Sequence, residues 1–124
     1  MKPSVRVLCV DDDPQVLSVT TDMLEWKGYE VAAVTSGKAA VAQTCKQFDL
    51  VIVDYNLPDI NGDIVAEYWK REHPTVPILM VSGCPNLPSR ALDHVNAHLA
   101  KGCQMNSFLG VISELTKTRT NMGA

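Results

Sequence analysis

Val7-Leu8-Cys9-Val10-Asp11-Asp12-Asp13-Pro14 is an apolar run that ends in three consecutive acids, and Leu50-Val51-Ile52-Val53-Asp54 repeats the pattern with one acid. Neither run alternates apolar with polar residues. Each therefore reads as a strand covered on both faces, the mark of a parallel sheet between helix layers. Crowded carboxylates repel one another, and a fold that gathers them normally holds a cation or tunes a proton there. A helix start rich in acids would complement the helix dipole. That explains Asp13 but not the matching acid at Asp54.

Working outward, apolar runs and helical patterns alternate along the chain. Val5 to Val10 is the first predicted strand. Asp13 caps the helix that follows, with Pro14 in its first turn and Leu17, Thr20, Thr21 and Leu24 on one face. Gly28 suits its end. Tyr29 to Val34 reads as a second strand, and Ser36 caps a second helix bearing Ala40, Val41, Thr44, Cys45 and Phe48 at helical spacing. The segment Leu57-Pro58-Asp59-Ile60-Asn61-Gly62 is turn chemistry. Ile64, Val65, Tyr68 and Trp69 mark a third helix that ends before Pro74.

Pro77 to Val81 gives the fourth strand. Pro85 and Pro88 then interrupt the chain, a short fourth helix is predicted over Arg90 to Val95, and Ala97 to Ala100 is a fifth strand. Ser107 caps a last helix to about Lys117, with Phe108, Val111, Ile112 and Leu115 on its apolar face, followed by a polar, frayed tail from Thr118 to Ala124. Five strands alternating with five helices predict an α/β fold with a doubly wound parallel sheet and helices on both faces. Right-handed crossovers leave few topologies, of which the flavodoxin-like order 2-1-3-4-5 is the most economical.

In such sheets ligands collect at the carboxyl ends of the strands, beside the point where strand order reverses. Asp11, Asp12 and Asp54 should converge there, with Ser82 at the end of strand four and Lys101 at the end of strand five. Three carboxylates, a hydroxyl and an ammonium suit Mg2+-assisted phosphoryl transfer. Mg2+ takes hard oxygen ligands, a carboxylate can act as the nucleophile, and cationic groups neutralise the phosphoryl oxygens.

The bulk properties agree. A chain of 124 residues, 46% hydrophobic, is one domain with a real core. The net charge of −3 and eleven scattered Lys and Arg argue against direct binding to nucleic acid or an anionic membrane. No apolar stretch nears the ~20 residues a membrane span needs, and Met1-Lys2-Pro3-Ser4 opens no signal peptide. Cys9, Cys45, Cys84 and Cys103 form no CxxC pair and read as reduced thiols of a cytoplasmic protein; Cys84 and Cys103 as a redox pair is the less favoured reading.

Four stretches carry a family resemblance: Val10-Asp11-Asp12-Asp13-Pro14, then Asp49 to Gly62 with Asp54 near its centre, then Pro77 to Gly83, then Leu99-Ala100-Lys101. In that order and spacing the chain resembles a two-component response regulator receiver domain of the chemotaxis-regulator type, over residues 1–118, with 119–124 a tail or the start of a linker. The resemblance implies Asp54 as phosphoacceptor. It implies Mg2+ held by Asp12 directly, by Asp11 mostly through water, by Asp54, and by the backbone carbonyl of Asn56. It gives Ser82 the hydroxyl that senses the phosphoryl group and lets Lys101 pair with a phosphoryl oxygen. The implied donor is a phosphohistidine on a sensor histidine kinase or histidine phosphotransfer protein. The implied output is a C-terminal effector domain or a downstream protein target.

Two positions depart from the family pattern. Gly102 follows Lys101 where most receivers have a cis-proline. Without proline a trans bond is expected, and with it a looser Lys101–Asp54 contact. His98 takes the place of the usual switch aromatic and is expected to be a partly buried strand residue. These departures keep open a degenerate receiver, an interaction module that works without phosphorylation. A small-molecule enzyme on the same fold is disfavoured: Asn56 stands where a haloacid-dehalogenase-type phosphatase needs a second acid, three acids replace a flavin phosphate loop, and no GxxxxGK[ST] or GxGxxG motif occurs.

Overall fold

The two acid-ending runs lie side by side at the centre of the sheet. The computed structural model describes residues 4–83 and 86–122. In chain order it contains β1 (Arg6–Val10), α1 (Pro14–Trp26), β2 (Glu30–Val34), α2 (Gly37–Ala42) continued by a 3-10 turn (Gln43–Cys45), β3 (Leu50–Asp54), α3 (Gly62–Glu72), β4 (Ile78–Ser82), β5 (Ala97–Ala100) and α4 (Met105–Met122). The five strands are parallel in the order β2-β1-β3-β4-β5. The expected fold class and strand order are both present.

Successive residues of a strand point to opposite faces, and both faces here are apolar and covered. Leu8, Val10, Val51 and Val53 pack with Ala40, Val65, Ala66 and Trp69 under α2 and α3. Val7, Cys9, Leu50 and Ile52 pack with Leu17, Leu24 and Ile112 under α1 and α4. That is why β1 and β3 could not alternate. Trp69 is fully buried, donates from Nε1 to the Ala40 carbonyl at 3.0 Å, and meets Phe48 edge-on at 5.9 Å. Asp13 caps α1 as expected, its Oδ1 accepting from the Gln15 N–H at 2.9 Å.

Three expectations are corrected. No α-helix joins β4 to β5 among the described residues. Residues 88–95 form successive tight turns, with the N–H groups of Ala91, Asp93 and Val95 donating to the carbonyls of Pro88, Arg90 and Leu92. The link is too short for more, because Asn96 already grips the start of β4: its N–H donates to the Ile78 carbonyl and its Oδ1 accepts from the Ile78 N–H. Second, α2 stops at Ala42, short of the periodic positions Thr44 and Phe48. Beyond it, Thr44 and Cys45 bond their side chains back to the carbonyls of Val41 and Ala42, competing with helix continuation. Third, α4 begins at Met105, so Ser107 lies inside it. The first-turn bond runs from the Phe108 N–H to the Gln104 carbonyl. The same helix runs on through Thr118 to Met122, where no glycine or proline interrupts it. Cys84, Pro85 and the last two residues, Gly123 and Ala124, lie outside the described residues. Among the described residues no helix is long and apolar enough to cross a membrane.

The β3–α3 loop is tied by Asp59 to the start of α2, on the same face of the sheet. Its two carboxylate oxygens accept from the N–H groups of Gly37 and Lys38, each at 2.8 Å, at the start of α2. The Lys38 N–H, with Gly37 beside it, holds the Asp59 carboxyl down to about 2. A depressed carboxyl lends stability above its ordinary pKa of ~3.9 and loses it as pH falls towards the folded value. Asp59→Asn should therefore flatten the fall in melting temperature between pH 5 and pH 2, as read by circular dichroism. An unchanged slope would leave the loop without this acid-sensitive tie.

Candidate functional site

Sheet register brings the acids together. Val10 of β1 pairs with Val53 of β3, so Asp11 and Asp54 emerge side by side at the carboxyl edge. Asp54 pairs with Val81 of β4, and Ser82 with Ala100 of β5, which places Ser82 and Lys101 on the same rim. One carboxylate oxygen from each of Asp11, Asp12 and Asp54 lies within 4.8 Å of the others. Asp11, Asp54 and Ser82 are buried and Asp12 is exposed.

Lys101 reaches into this cluster. Its Nζ lies 2.8 Å from Asp54 Oδ2 and 3.3 Å from Asp11 Oδ2. Asp11 Oδ1 accepts from the Asp13 N–H at 2.9 Å, and Asp54 Oδ1 accepts a longer bond from the Asn56 N–H at 3.3 Å. Burial pushes the Asp11 carboxyl up. The Asp13 N–H and Lys101 pull it down, Asp54 pushes it up again, and the net shift is upward. Burial opposes the charge on Lys101, but its hydrogen bond to Asp54 and the field of both acids win, so its pKa is raised. Cys9, buried beneath the site, has its thiol pushed up to about 12 by burial and by Asp11. It acts as a small hydrophobe.

Three carboxylates face one ammonium here, a deficit of two positive charges. A hard divalent cation closes that deficit. Ligand oxygens around such an ion sit on the order of 3 to 4 Å apart, within small side-chain rotations of the observed spacing. The donor set fits the group.

The looser Lys101–Asp54 contact expected from Gly102 is not found. The described residues contain no cis peptide bond, yet the ion pair is short. After Lys101 the chain makes a turn in which Gly102 adopts φ +83° and the Cys103 N–H closes on the Ala100 carbonyl at 3.2 Å. His98 is exposed rather than partly buried, because Ala97 and Leu99 take the inward positions of β5.

Two residues that shape the site carry only turn signals in the sequence. Gly62 presses on Asp54: a Cβ there would collide with the Asp54 carbonyl oxygen, and the Gly62 N–H donates to the Tyr55 carbonyl at 2.8 Å. Asp59 anchors the same loop across 22 residues of sequence. No local pattern signals either contact, since both depend on what the tertiary fold places opposite.

The fold and site define an open, doubly wound α/β module whose switch point, where such sheets bind their ligands, carries an acid cluster and a lysine. The comparisons narrow that class. A family model described as "Response regulator receiver domain" matches residues 7–112. A CheY-like receiver domain protein from Methanospirillum hungatei superimposes with TM-score 0.90 at 28% identity, over 98% of this chain and 100% of that one. The response regulator TrrA from Thermotoga maritima, in complex with Mg(2+)-BeF, has TM-score 0.85 at 22% identity, covering 90% of this chain and 98% of that one. A sensor histidine kinase receiver domain from Pseudomonas aeruginosa, with magnesium ion coordinated in its active site cleft, has TM-score 0.84 at 24% identity, covering 93% and 99%. Response regulator SaeR of Staphylococcus aureus is 28% identical over 77 residues, 62% of this chain and 34% of that protein. The chain thus spans about a third of the length of the curated relatives it matches. The chain belongs to the receiver domain family of two-component response regulators.

Gly62→Ala should force the Asp54 backbone to shift. Overpacking of this kind costs about 1–3 kcal/mol, or a fall of roughly 4–8 °C or more in Tm for a domain near this size. Calorimetric melting checks it, and a Tm within a degree of wild type would show that the loop yields freely.

Proposed function

We propose that this receiver takes a phosphoryl group onto Asp54 in a Mg2+-dependent reaction and so switches its binding to a partner. The observation that carries the reading is the joint one: three carboxylates within ligand range of one another, with the Lys101 ammonium on the central one. The magnesium reported in the TrrA and Pseudomonas aeruginosa structures supports it. Asp11, Asp12, Asp54 and the backbone carbonyl of Asn56 would hold the ion. When bound, it neutralises phosphoryl oxygens and the carboxylates that would otherwise repel them.

In the proposed step an Asp54 oxygen attacks phosphorus and a P–O bond forms as the donor's P–N bond breaks. The electron pair returns to the donor imidazole, which leaves neutral when its other nitrogen carries a proton. Lys101 then pairs with a phosphoryl oxygen, and Ser82 senses the new group from the end of β4. The protein's catalysis is confined to its own phosphorylation and dephosphorylation. We place it in the cytoplasm, take residues 1–118 as the receiver unit, and read 119–124 as a polar tail or the start of a linker. The much greater length of the curated relatives supports a C-terminal effector domain beyond it. A downstream protein target is the other form the output can take.

The donor is proposed to be a phosphohistidine on a sensor kinase or phosphotransfer protein, docking a helix on α1. Val16, Val19, Met23 and Trp26 recur every three or four residues on the side of α1 away from Leu17 and Leu24. Val19 is 64% and Trp26 82% exposed. This stripe borders a groove of about 390 Å³ whose lining includes Val16, Val19, Phe108 and Lys101, so it is continuous with the site.

Labelling by acetyl phosphate should require Mg2+ and disappear in Asp54→Asn or with excess EDTA. Equal labelling of Asp54→Asn and wild type would move the acceptor elsewhere. Val19→Glu should slow transfer from a phosphohistidine donor by about tenfold, the loss of one interface anchor worth ~1.4 kcal/mol. Its acetyl phosphate labelling should stay near wild type. Slowing of both would mean damage to the site rather than to docking.

A further inference from the structure

Lys101 reaches Asp54 through a backbone route that hangs on the next residue. The Lys101 N–H, one residue past the end of β5, donates to the Ser82 carbonyl at 2.9 Å. Immediately afterwards the Cys103 N–H closes on the Ala100 carbonyl at 3.2 Å, making a four-residue turn with Lys101 and Gly102 at its centre. Gly102 has φ +83°, and no non-glycine described residue has positive φ, so Lys101 does not. Negative φ followed by φ near +80° is the pattern of a type II turn, whose third position favours glycine. A Cβ on Gly102 would meet nothing within 4 Å. The demand for glycine here is therefore one of backbone conformation and not of space.

We propose that Gly102 is the positioning residue for Lys101. Its left-handed backbone turns the chain at the end of β5 so that the lysine stem is delivered inward, and the ammonium lands on Asp54 and Asp11 without a cis peptide bond among the described residues. A side-chain-bearing residue that refuses positive φ would open the turn and swing the start of the Lys101 stem away from the rim. Asparagine, which tolerates the left-handed region better than other L-residues, would largely preserve it. The inference rests on the proposed role of Lys101 in phosphoryl transfer.

The test uses the full chain as Gly102→Ala, Gly102→Asn, Lys101→Ala and the double variant Lys101→Ala/Gly102→Ala. Each is assayed for its rate of labelling by acetyl phosphate at saturating Mg2+, with Mg2+ affinity and Tm measured alongside. Gly102→Ala should slow labelling about fivefold or more, and Gly102→Asn should recover most of that loss. In the Lys101→Ala background, Gly102→Ala should add no further slowing, because the two changes remove the same contact. Additive slowing, or equal defects in Gly102→Ala and Gly102→Asn, would overturn the inference while leaving Lys101 its role. Wild-type labelling by Lys101→Ala would instead overturn the role of Lys101 itself, and this inference with it. If Gly102→Ala melts below the assay temperature, the Asn variant alone decides. A near-wild-type rate upholds the left-handed requirement, and a rate as low as that of Lys101→Ala refutes it.

Discussion

An uncompensated charge governs the carboxyl edge of this sheet. Asp11, Asp12 and Asp54 are held within ligand distance of one another, and a single ammonium, that of Lys101, answers them. Bringing like charges together in a partly buried site costs free energy that the rest of the fold must supply. The same imbalance is what makes the site useful. It favours a hard divalent cation, and with that charge in place an incoming phosphoryl group is no longer repelled.

The surrounding structure keeps the acids where they are. The interior strands β1 and β3 are apolar on both faces, and their pairing fixes Asp11 beside Asp54. Around them, three pieces of irregular backbone set the fine geometry. Gly62 lets α3 start against the Asp54 carbonyl, Asp59 ties that loop to the start of α2, and Gly102 turns the chain after Lys101. The scaffold is thus stiff where strands pair and specific where loops meet the rim, the usual division of labour in open α/β sheets.

The two departures from the family pattern have unequal consequences. At Gly102 the missing proline is compensated by a turn of different shape, and the lysine still reaches its acid. This removes one of the two reasons for suspecting a degenerate receiver. At His98 no such compensation arises, because the ring simply faces outward on β5. Between β4 and β5, residues 88–95 form turns, and Ile64 and Tyr68 of α3 are exposed. Among the described residues, α3 and these turns occur there without an additional helix.

Sequence alone determined the fold class, the strand order, the strand-end acids and the capping of α1 by Asp13. The fold class, the acids and the cap follow from local signals, namely unbroken apolar runs, helical periodicity and a cap residue before proline, and the strand order from crossover handedness and economy of connection. The end of α2, the start of α4 and the absence of a helix over 90–95 were not legible, because competing side-chain bonds at Thr44 and Cys45 and the grip of Asn96 on Ile78 override periodicity. The short Lys101–Asp54 contact was likewise a tertiary result. A sequence says that proline is missing after the lysine. Only the folded chain, with β5 registered on β4 and Gly102 free to take positive φ, decides where the ammonium ends up.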